Sequence, residues 1–399
     1  MIVFMGVFPS NRDPTANIFS YNLVKAFSSQ GYDVCIFGET PWWPWFLKDK
    51  HYNDPVILKK NEFTIYRPRH FRLPGYRSMQ YSAFTMLISY LPYLIKINRQ
   101  KRISGVFSFG FFPYLQLSSY IGRIFNVPTV CSGLGWDLHQ AVSIKWMKKI
   151  ALKNIKSTTL VTVQSKSNLE FLRTNGFSSE NINIYRRGID LSHLSNNHIS
   201  KIQYREKLCL PKDSKIILYA GRMSKTKGIF DILEAYSIIE KTRSVEDVLL
   251  VFIGCKRNNS GDLTREIENK IEKEKISNVL LLDALPRERV ITYMIAADLF
   301  VFPSYHTEGM PNVILEAASV GLPIITAESP VMKEFTENGV LASMVNRESP
   351  GELAKKIIDL LSQYKLAMEK AEKAREVVLK NYNIIKNITQ VAHIFNSKA

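Results

Sequence analysis

The chain has 399 residues, 46% hydrophobic and 22% charged, with 53 Lys and Arg against 36 Asp and Glu for a net charge of +17. That balance excludes a disordered or low-complexity chain. Four cysteines (Cys35, Cys131, Cys209, Cys255) without any C-x-x-C spacing exclude a disulfide scaffold and a cysteine zinc site. The length predicts two domains, or one large barrel. The opening MIVFMGVFPS has neither a basic n-region nor a long apolar h-region, so no signal peptide is expected and the cysteines are read as reduced.

In chain order, IVFMGVF reads as a first strand, residues 18–29 as a helix, and residues 33–37 as a second strand. PWWPWF follows, with Trp42, Trp43, Trp45 and Phe46 around Pro44. Such a run is not a helix interior, and it reads as a loop packed inward or as an exposed apolar patch. No acidic residue occurs between Glu62 and Asp137, a window that carries nine Lys and Arg. Inside it lies MQYSAFTMLISYLPYLI (79–95), broken by Ser82, Thr85, Ser89 and Pro92 and shorter than the ~20 residues of a spanning helix.

Three readings of that stretch compete. An anionic membrane surface suits its basic, aromatic, amphipathic character. A core helix with a solvated rim is the plainer alternative. Nucleic acid would be drawn by the charge, but no RNP-like aromatic signature, finger spacing or basic recognition helix accompanies it. Residues 1–190 hold 24 Lys and Arg against 10 Asp and Glu, leaving a net charge of only +3 for the rest.

Further strand-like runs follow at 105–110, 127–133 and 159–165. A polar join is expected around LSNNHIS, within 191–212. Beyond it, strands at 216–220, 248–254, 279–282, 299–302 and 323–326 alternate with helical segments, one marked by Ile229, Ile232, Leu233, Tyr236 and Ile239. Residues 352–380 read as a charged amphipathic helical region. Repeated β-α units predict an α/β fold with doubly wound parallel sheets.

Two motifs carry the chemistry. PSYHTEGMPNVILEAASVG (303–321) follows the strand LFVF, with Pro311 expected at the first helical position. Glu308 stands in its loop and Glu316 inside its helix, flanking an amino end suited to a phosphate. GRMSKTKG (221–228) also joins a strand to a helix, and places Arg222 and Lys227 at the carboxyl edge of the sheet. Two cations beside a helix amino end make an electrophilic cradle for a diphosphate leaving group.

With GLGWD (133–137), RRGID (186–190) and the opening FPS, these motifs make the whole chain resemble the retaining GT-B glycosyltransferases of group 1, often called family 4. The resemblance implies two Rossmann-like domains facing across a cleft: an acceptor-binding domain over 1–192, a nucleotide-sugar-binding domain over 193–380, and a C-terminal helix over 381–399 packing back on the first. It implies that Arg222 and Lys227 stabilise the departing diphosphate, that Glu308 lies near the donor sugar, and that Glu316 binds the ribose hydroxyls. Gly309, Met310, Pro311, Asn312 and Val313 would surround the sugar and phosphates. Asn17, expected on the nucleotide-sugar side, stands where the family has a first-loop glycine at which backbone approaches phosphate, and tolerates unusual φ better than most residues. Leu134 replaces a family histidine, leaving Gly135 and Asp137 on the acceptor or sugar side. Ser329-Pro330 replaces a glycine pair, although Glu334 persists.

The resulting expectation is a cytoplasmic enzyme, peripheral on the inner face of the cell membrane. It would move a sugar from a nucleotide-sugar, UDP favoured, to a lipid-linked glycan acceptor in bacterial surface polysaccharide synthesis (O-antigen, capsule or exopolysaccharide). No metal, cofactor or nucleic-acid partner is expected. The rivals are a soluble GT-B enzyme acting on small or polymeric sugars and a non-catalytic nucleotide-sugar or nucleic-acid binding protein.

Overall fold

The computed structural model describes residues 1–10, 17–42, 55–60, 63–71, 80–196, 200–256, 261–306 and 309–396. The chain divides into two compact units. One runs to Arg187 and regains the chain at Ile384, also taking in Gly309 and Met310; the other holds most of residues 188–383.

The first unit is built on strands β1 (Ile2–Gly6), β2 (Val34–Gly38), β3 (Thr40–Trp42), β4 (Ile57–Lys60), β5 (Phe63–Tyr66), β6 (Arg69–Phe71), β7 (Gly105–Phe109), β8 (Thr129–Ser132), β9 (Leu160–Val163) and β10 (Ile182–Ile184). Eight of them form one sheet in the order β10-β9-β8-β7-β1-β2-β5-β4, parallel in every pair given except β4 with β5. β3 and β6 pair separately. Its helices are α1 (Ile18–Ser29), α2 (Ser82–Gln100), α3 (Tyr114–Phe125), α4 (Trp136–Ser143), α5 (Lys145–Ile155) and α6 (Lys166–Thr174).

Strand alternation divides β1 between two cores. Ile2 and Phe4 pack with α1 residues such as Leu23 and Phe27, whereas Val3 and Met5 pack with Met86 and Tyr90 of α2 and Leu117 of α3. A strand buried on both faces must be apolar throughout, which is why IVFMG shows no alternation in sequence.

The second unit has β11 (Lys215–Ala220), β12 (Val248–Cys255), β13 (Val279–Asp283), β14 (Leu299–Phe302), β15 (Ile324–Ala327) and β16 (Ser343–Val345), all parallel in the order β13-β12-β11-β14-β15-β16. Its helices are α7 (Lys201–Lys207), α8 (Ile229–Thr242), α9 (Thr264–Glu274), α10 (Arg287–Ala296), α11 (Asn312–Ser319), α12 (Pro330–Phe335), α13 (Pro350–Ser362) and α14 (Tyr364–Asn381). The helical region expected over 352–380 is therefore two helices, broken at Gln363. The chain then regains the first unit as α15 (Ile384–Asn387) and α16 (Thr389–Asn396). Phe395 of α16 fills the space over Gly105 of β7, where an added Cβ would meet its ring at 2.1 Å.

Each main sheet changes winding direction once, between β1 and β7 in the first unit and between β11 and β14 in the second. In open α/β sheets these switch points, at the carboxyl ends of the strands, are where ligands bind. The residues singled out by motif stand at or near them.

Candidate active site

In the second unit, both chemistry-bearing motifs leave the switch-point pair β11 and β14. After β11, Tyr219 donates its hydroxyl to the Arg222 carbonyl at 2.8 Å and folds the loop back. A single 3-10 turn, Lys225–Lys227, then leads through Gly228 into α8. Gly228 has φ 71, and an added Cβ would lie 2.5 Å from the Pro303 carbonyl. Only glycine fits both the left-handed conformation and that approach.

The loop after β14 is tied to the same place. The N–H groups of Tyr305 and His306 donate to the Thr226 carbonyl at 3.0 and 3.1 Å, and Ser304 Oγ reaches it at 3.4 Å. One carbonyl thus holds both motifs together. Lys227 is buried, with its ammonium 5.2 Å from the Phe302 ring centroid, while Arg222 is exposed. A cation over an aromatic face keeps its charge with fewer waters around it.

Helix α11 starts one residue later than expected: Pro311 is its N-cap, with φ −65 and ψ 122, and Asn312 is its first residue. Among the described residues no side-chain cap bond is made at this end, which leaves first-turn N–H groups such as those of Asn312 and Val313 suited to an anion. Met310 is buried. Gly309 groups with the first unit, where an added Cβ would fall 2.2 Å from the Leu134 carbonyl. Glu308 lies outside the described residues, as do Trp43, Trp45 and Phe46.

Glu316 is buried on α11, and Arg287 Nε, at the start of α10, donates to its Oε1 at 2.5 Å. The Arg287 Nη2 reaches the Asp190 carbonyl at 2.7 Å. Burial raises the Glu316 carboxyl above its ordinary range, and Arg287 opposes that shift. On the next turn of α11, Ser319 Oγ donates to the Glu316 carbonyl at 2.7 Å and meets His193 Nε2 at 3.0 Å. Burial, and then the charge of Arg287, lower His193 to about 4, so its ring is neutral at pH 7. Sequence reasoning missed Arg287 and His193. The available signals were Pro286-Arg287 opening a helix and a histidine just after RRGID.

In the first unit, Asn17 takes φ 45 at the amino end of α1, the left-handed conformation for which a glycine substitute must be fitted. Gly135, at φ 116, precedes α4. The Asp137 oxygens accept the N–H groups of Phe111 at 2.7 Å and Leu134 at 2.8 Å, so this carboxylate shapes its own loop. Burial raises its pKa and those backbone bonds oppose the rise. Arg222, Lys227, Glu316 and the amino end of α11 belong to the second unit; Asn17, Gly135 and Asp137 belong to the first.

Residues 200–377 match the family described as glycosyl transferases group 1. A Bacillus subtilis glycosyltransferase assigned to teichuronic acid biosynthesis, TuaC, is 25% identical over 81% of this chain and 79% of its own. The capsular polysaccharide biosynthesis glycosyltransferase CapM of Staphylococcus aureus is 27% identical over 57% of this chain and 52% of its own. Among solved structures, sucrose-phosphate synthase of Thermosynechococcus elongatus superposes with a TM-score of 0.77 at 17% identity, covering 100% of this chain and 99% of its own. HepE of Anabaena, solved with UDP and glucose, gives 0.73 at 16% identity, with 99% of both chains covered. The two doubly wound units and the solved structures give this chain the GT-B fold, and the unit that carries both motifs is similar to group 1 glycosyltransferases.

Proposed function

We propose that the protein transfers a hexose from a UDP-sugar to a lipid-linked glycan during bacterial surface polysaccharide synthesis, at the inner face of the cell membrane, with retention of anomeric configuration and without a metal. The observation that supports the reading is the set of hydrogen bonds on the Thr226 carbonyl, which ties the loop carrying Arg222 and Lys227 to the loop after β14 that leads into α11. That combination is an anion cradle for a leaving diphosphate.

In the proposed reaction the bond from the anomeric carbon to the diphosphate oxygen breaks, with its electron pair leaving on that oxygen. The acceptor hydroxyl oxygen bonds to the anomeric carbon on the same face, and its proton passes to the departing phosphate. Lys227 and Arg222 supply the countercharge otherwise asked of a metal. Glu316 accepts the ribose hydroxyls and Glu308 lies by the sugar; Asn312 and Val313 donate N–H groups to phosphate, and Pro311, lacking one, sets the turn. UDP is favoured because HepE was solved with it.

The membrane part of the reading rests on α2. Tyr81, Phe84 and Ile88, 63%, 58% and 57% exposed, continue through Leu91 to Ile95 as an apolar stripe at helical spacing. Lys96, Arg99, Lys101 and Arg102 follow at its basic end. No helix among the described residues is long and apolar enough to cross a membrane. An apolar face with a basic end binds in the plane of an anionic interface.

The test is transfer from UDP-glucose, UDP-galactose and UDP-N-acetylglucosamine to a polyprenyl-diphosphate glycan in EDTA. Lys227→Ala is expected to lower kcat by roughly 10²–10³-fold. Full turnover by Lys227→Ala and Arg222→Ala together would show the site to be wrongly placed. Transfer to soluble sugars alone, without vesicle flotation, would favour the soluble-acceptor rival.

A further inference from the structure

Two buried carboxylates of the second unit pair with arginines, and the two pairs differ. Asp298 is saturated. Lys201 Nζ donates to its Oδ1 at 2.5 Å, and Arg205 Nη2 and the Ile216 N–H both donate to its Oδ2 at 2.7 Å. Arg205 also donates to the Ala296, Lys212 and Ser214 carbonyls. That cluster staples the chain and leaves no carboxylate oxygen for a ligand. Glu316 is only half used. Arg287 Nε donates to its Oε1 at 2.5 Å, while Oε2 accepts no hydrogen bond among the described residues, although the residue is 8% exposed. Little water reaches such an oxygen, so it asks for a donor from outside the chain.

The guanidinium that holds Glu316 is itself seated. Arg287 Nη2 donates to the Asp190 carbonyl at 2.7 Å, and the turn that carries this carbonyl is closed by the Ser192 N–H on Asp190 Oδ1 at 2.9 Å. All of these residues belong to the second unit. A planar fork held at one nitrogen and donating from another fixes the orientation of the carboxylate it meets. Its charge also opposes the effect of burial, which favours the protonated acid. Kept ionised, a carboxyl group is acceptor-only, so a ligand at Oε2 must bring an O–H or N–H.

Position on the helix selects the donor. Glu316 stands four residues beyond Asn312, the first residue of α11, which is about 6 Å along the axis. A nucleotide with its phosphates at the amino end of α11 reaches that level with its ribose, whose 2′- and 3′-hydroxyls are adjacent O–H donors. We propose that Arg287 is a positioning residue for nucleotide selection: by holding Oε1 it leaves Oε2 to the ribose diol, and so makes the site read the 2′-hydroxyl. The inference rests on the reading of Glu316 as the ribose ligand and assigns to Arg287 the sharpness of that recognition. A carboxylate free to turn, or protonated, would bind the sugar without discriminating against a missing hydroxyl.

The test is calorimetric binding of UDP against 2′-deoxy-UDP, and of GDP against 2′-deoxy-GDP, to the full chain and to Arg287→Gln, Arg287→Lys and Glu316→Gln, each below its own melting temperature. The wild type is expected to prefer the ribonucleotide by roughly ten- to hundredfold, the worth of a hydrogen bond to a charged group. Arg287→Gln and Glu316→Gln are each expected to reduce that preference to about threefold or less. Arg287→Lys keeps the charge without the fork, is expected to lie between, and carries the test if Arg287→Gln does not fold. General loosening of the site would weaken both nucleotides of a pair alike, so the ratio isolates the positioning role. An Arg287 variant that keeps the wild-type preference, however far its melting point falls, overturns the proposal and makes the pair structural, like Asp298 with Arg205. If Glu316→Gln keeps the preference, the ribose reading of Glu316 is the part that fails. A wild type that binds neither pair, or binds both members of each pair equally, removes the reading and the inference together.

Discussion

Arg287 Nε meets Glu316 Oε1 at 2.5 Å, joining the first residue of α10 to the fifth of α11. Both side chains are mostly buried, so neither charge has water to fall back on. Arg287→Ala leaves the Glu316 carboxylate buried and alone, and is expected to cost about 3–5 kcal/mol in guanidinium denaturation. The Glu316 pKa, already raised by burial, rises further without Arg287. In that window the folded protein holds a proton that the unfolded chain has released, so stability falls as pH rises. The variant should therefore lose more at pH 8 than at pH 5.

His193 gives the opposite sign. Its pKa falls from 6.5 to about 4 on folding, so between these values the unfolded chain binds the proton that the folded protein refuses. The contribution is intact above pH 6.5 and is lost as pH drops toward 4. Melting at pH 7.5 and pH 5 should show a larger loss for wild type than for His193→Asn. Equal losses would show that His193 titrates normally.

Gly228→Ala tests whether the two loops act as one unit. The substitution forces a side chain to φ 71 and sets it 2.5 Å from the Pro303 carbonyl. Left-handed strain alone is about 1–2 kcal/mol, and the clash adds to it. The expected result is a loss of at least about 2 kcal/mol together with lowered kcat, because Lys227 is the preceding residue. A change in stability with kcat untouched would separate the loop from the chemistry.

The stripe on α2 is open to a direct test. Phe84→Asp with Ile88→Asp should abolish flotation with anionic vesicles. Stability should change by no more than about 0.5 kcal/mol per site, as for exposed positions elsewhere. Transfer to a water-soluble acceptor should continue at the wild-type rate. Persistent flotation would place the membrane contact elsewhere.

The parts of the fold legible in sequence are those where burial imposes a pattern. α1 was readable from its apolar spacing, and the second sheet's central strands from runs apolar on both faces; LFVF coincides with β14. β3, β6, β10 and β16 have only three residues each, too few to establish a period. The break at Gln363 did leave a trace. Buried positions step from Leu353, Ala354, Ile357 and Leu361 to Ala367, Ala371, Ala374 and Val378, and the stride of six between Leu361 and Ala367 is out of phase with 3.6 residues per turn. The site divides the same way. Loop motifs single out Arg222, Lys227 and Glu316 as candidates, but Arg287 lies 29 residues from its partner and His193 lies 126 from Ser319, separations that no local pattern spans.

Phe395 over Gly105 has a consequence for the order of synthesis. Ile384, Ile388, Val391, Ala392 and Phe395 belong to the same core as Ile2 and Phe4. The second unit is therefore fully translated, and free to fold, while the first still waits for a piece of its interior. Ribosome-bound chains stopped short of residue 384 should expose an apolar face on the first sheet, a target for chaperones and for aggregation. The half that emerges first is the half that finishes last.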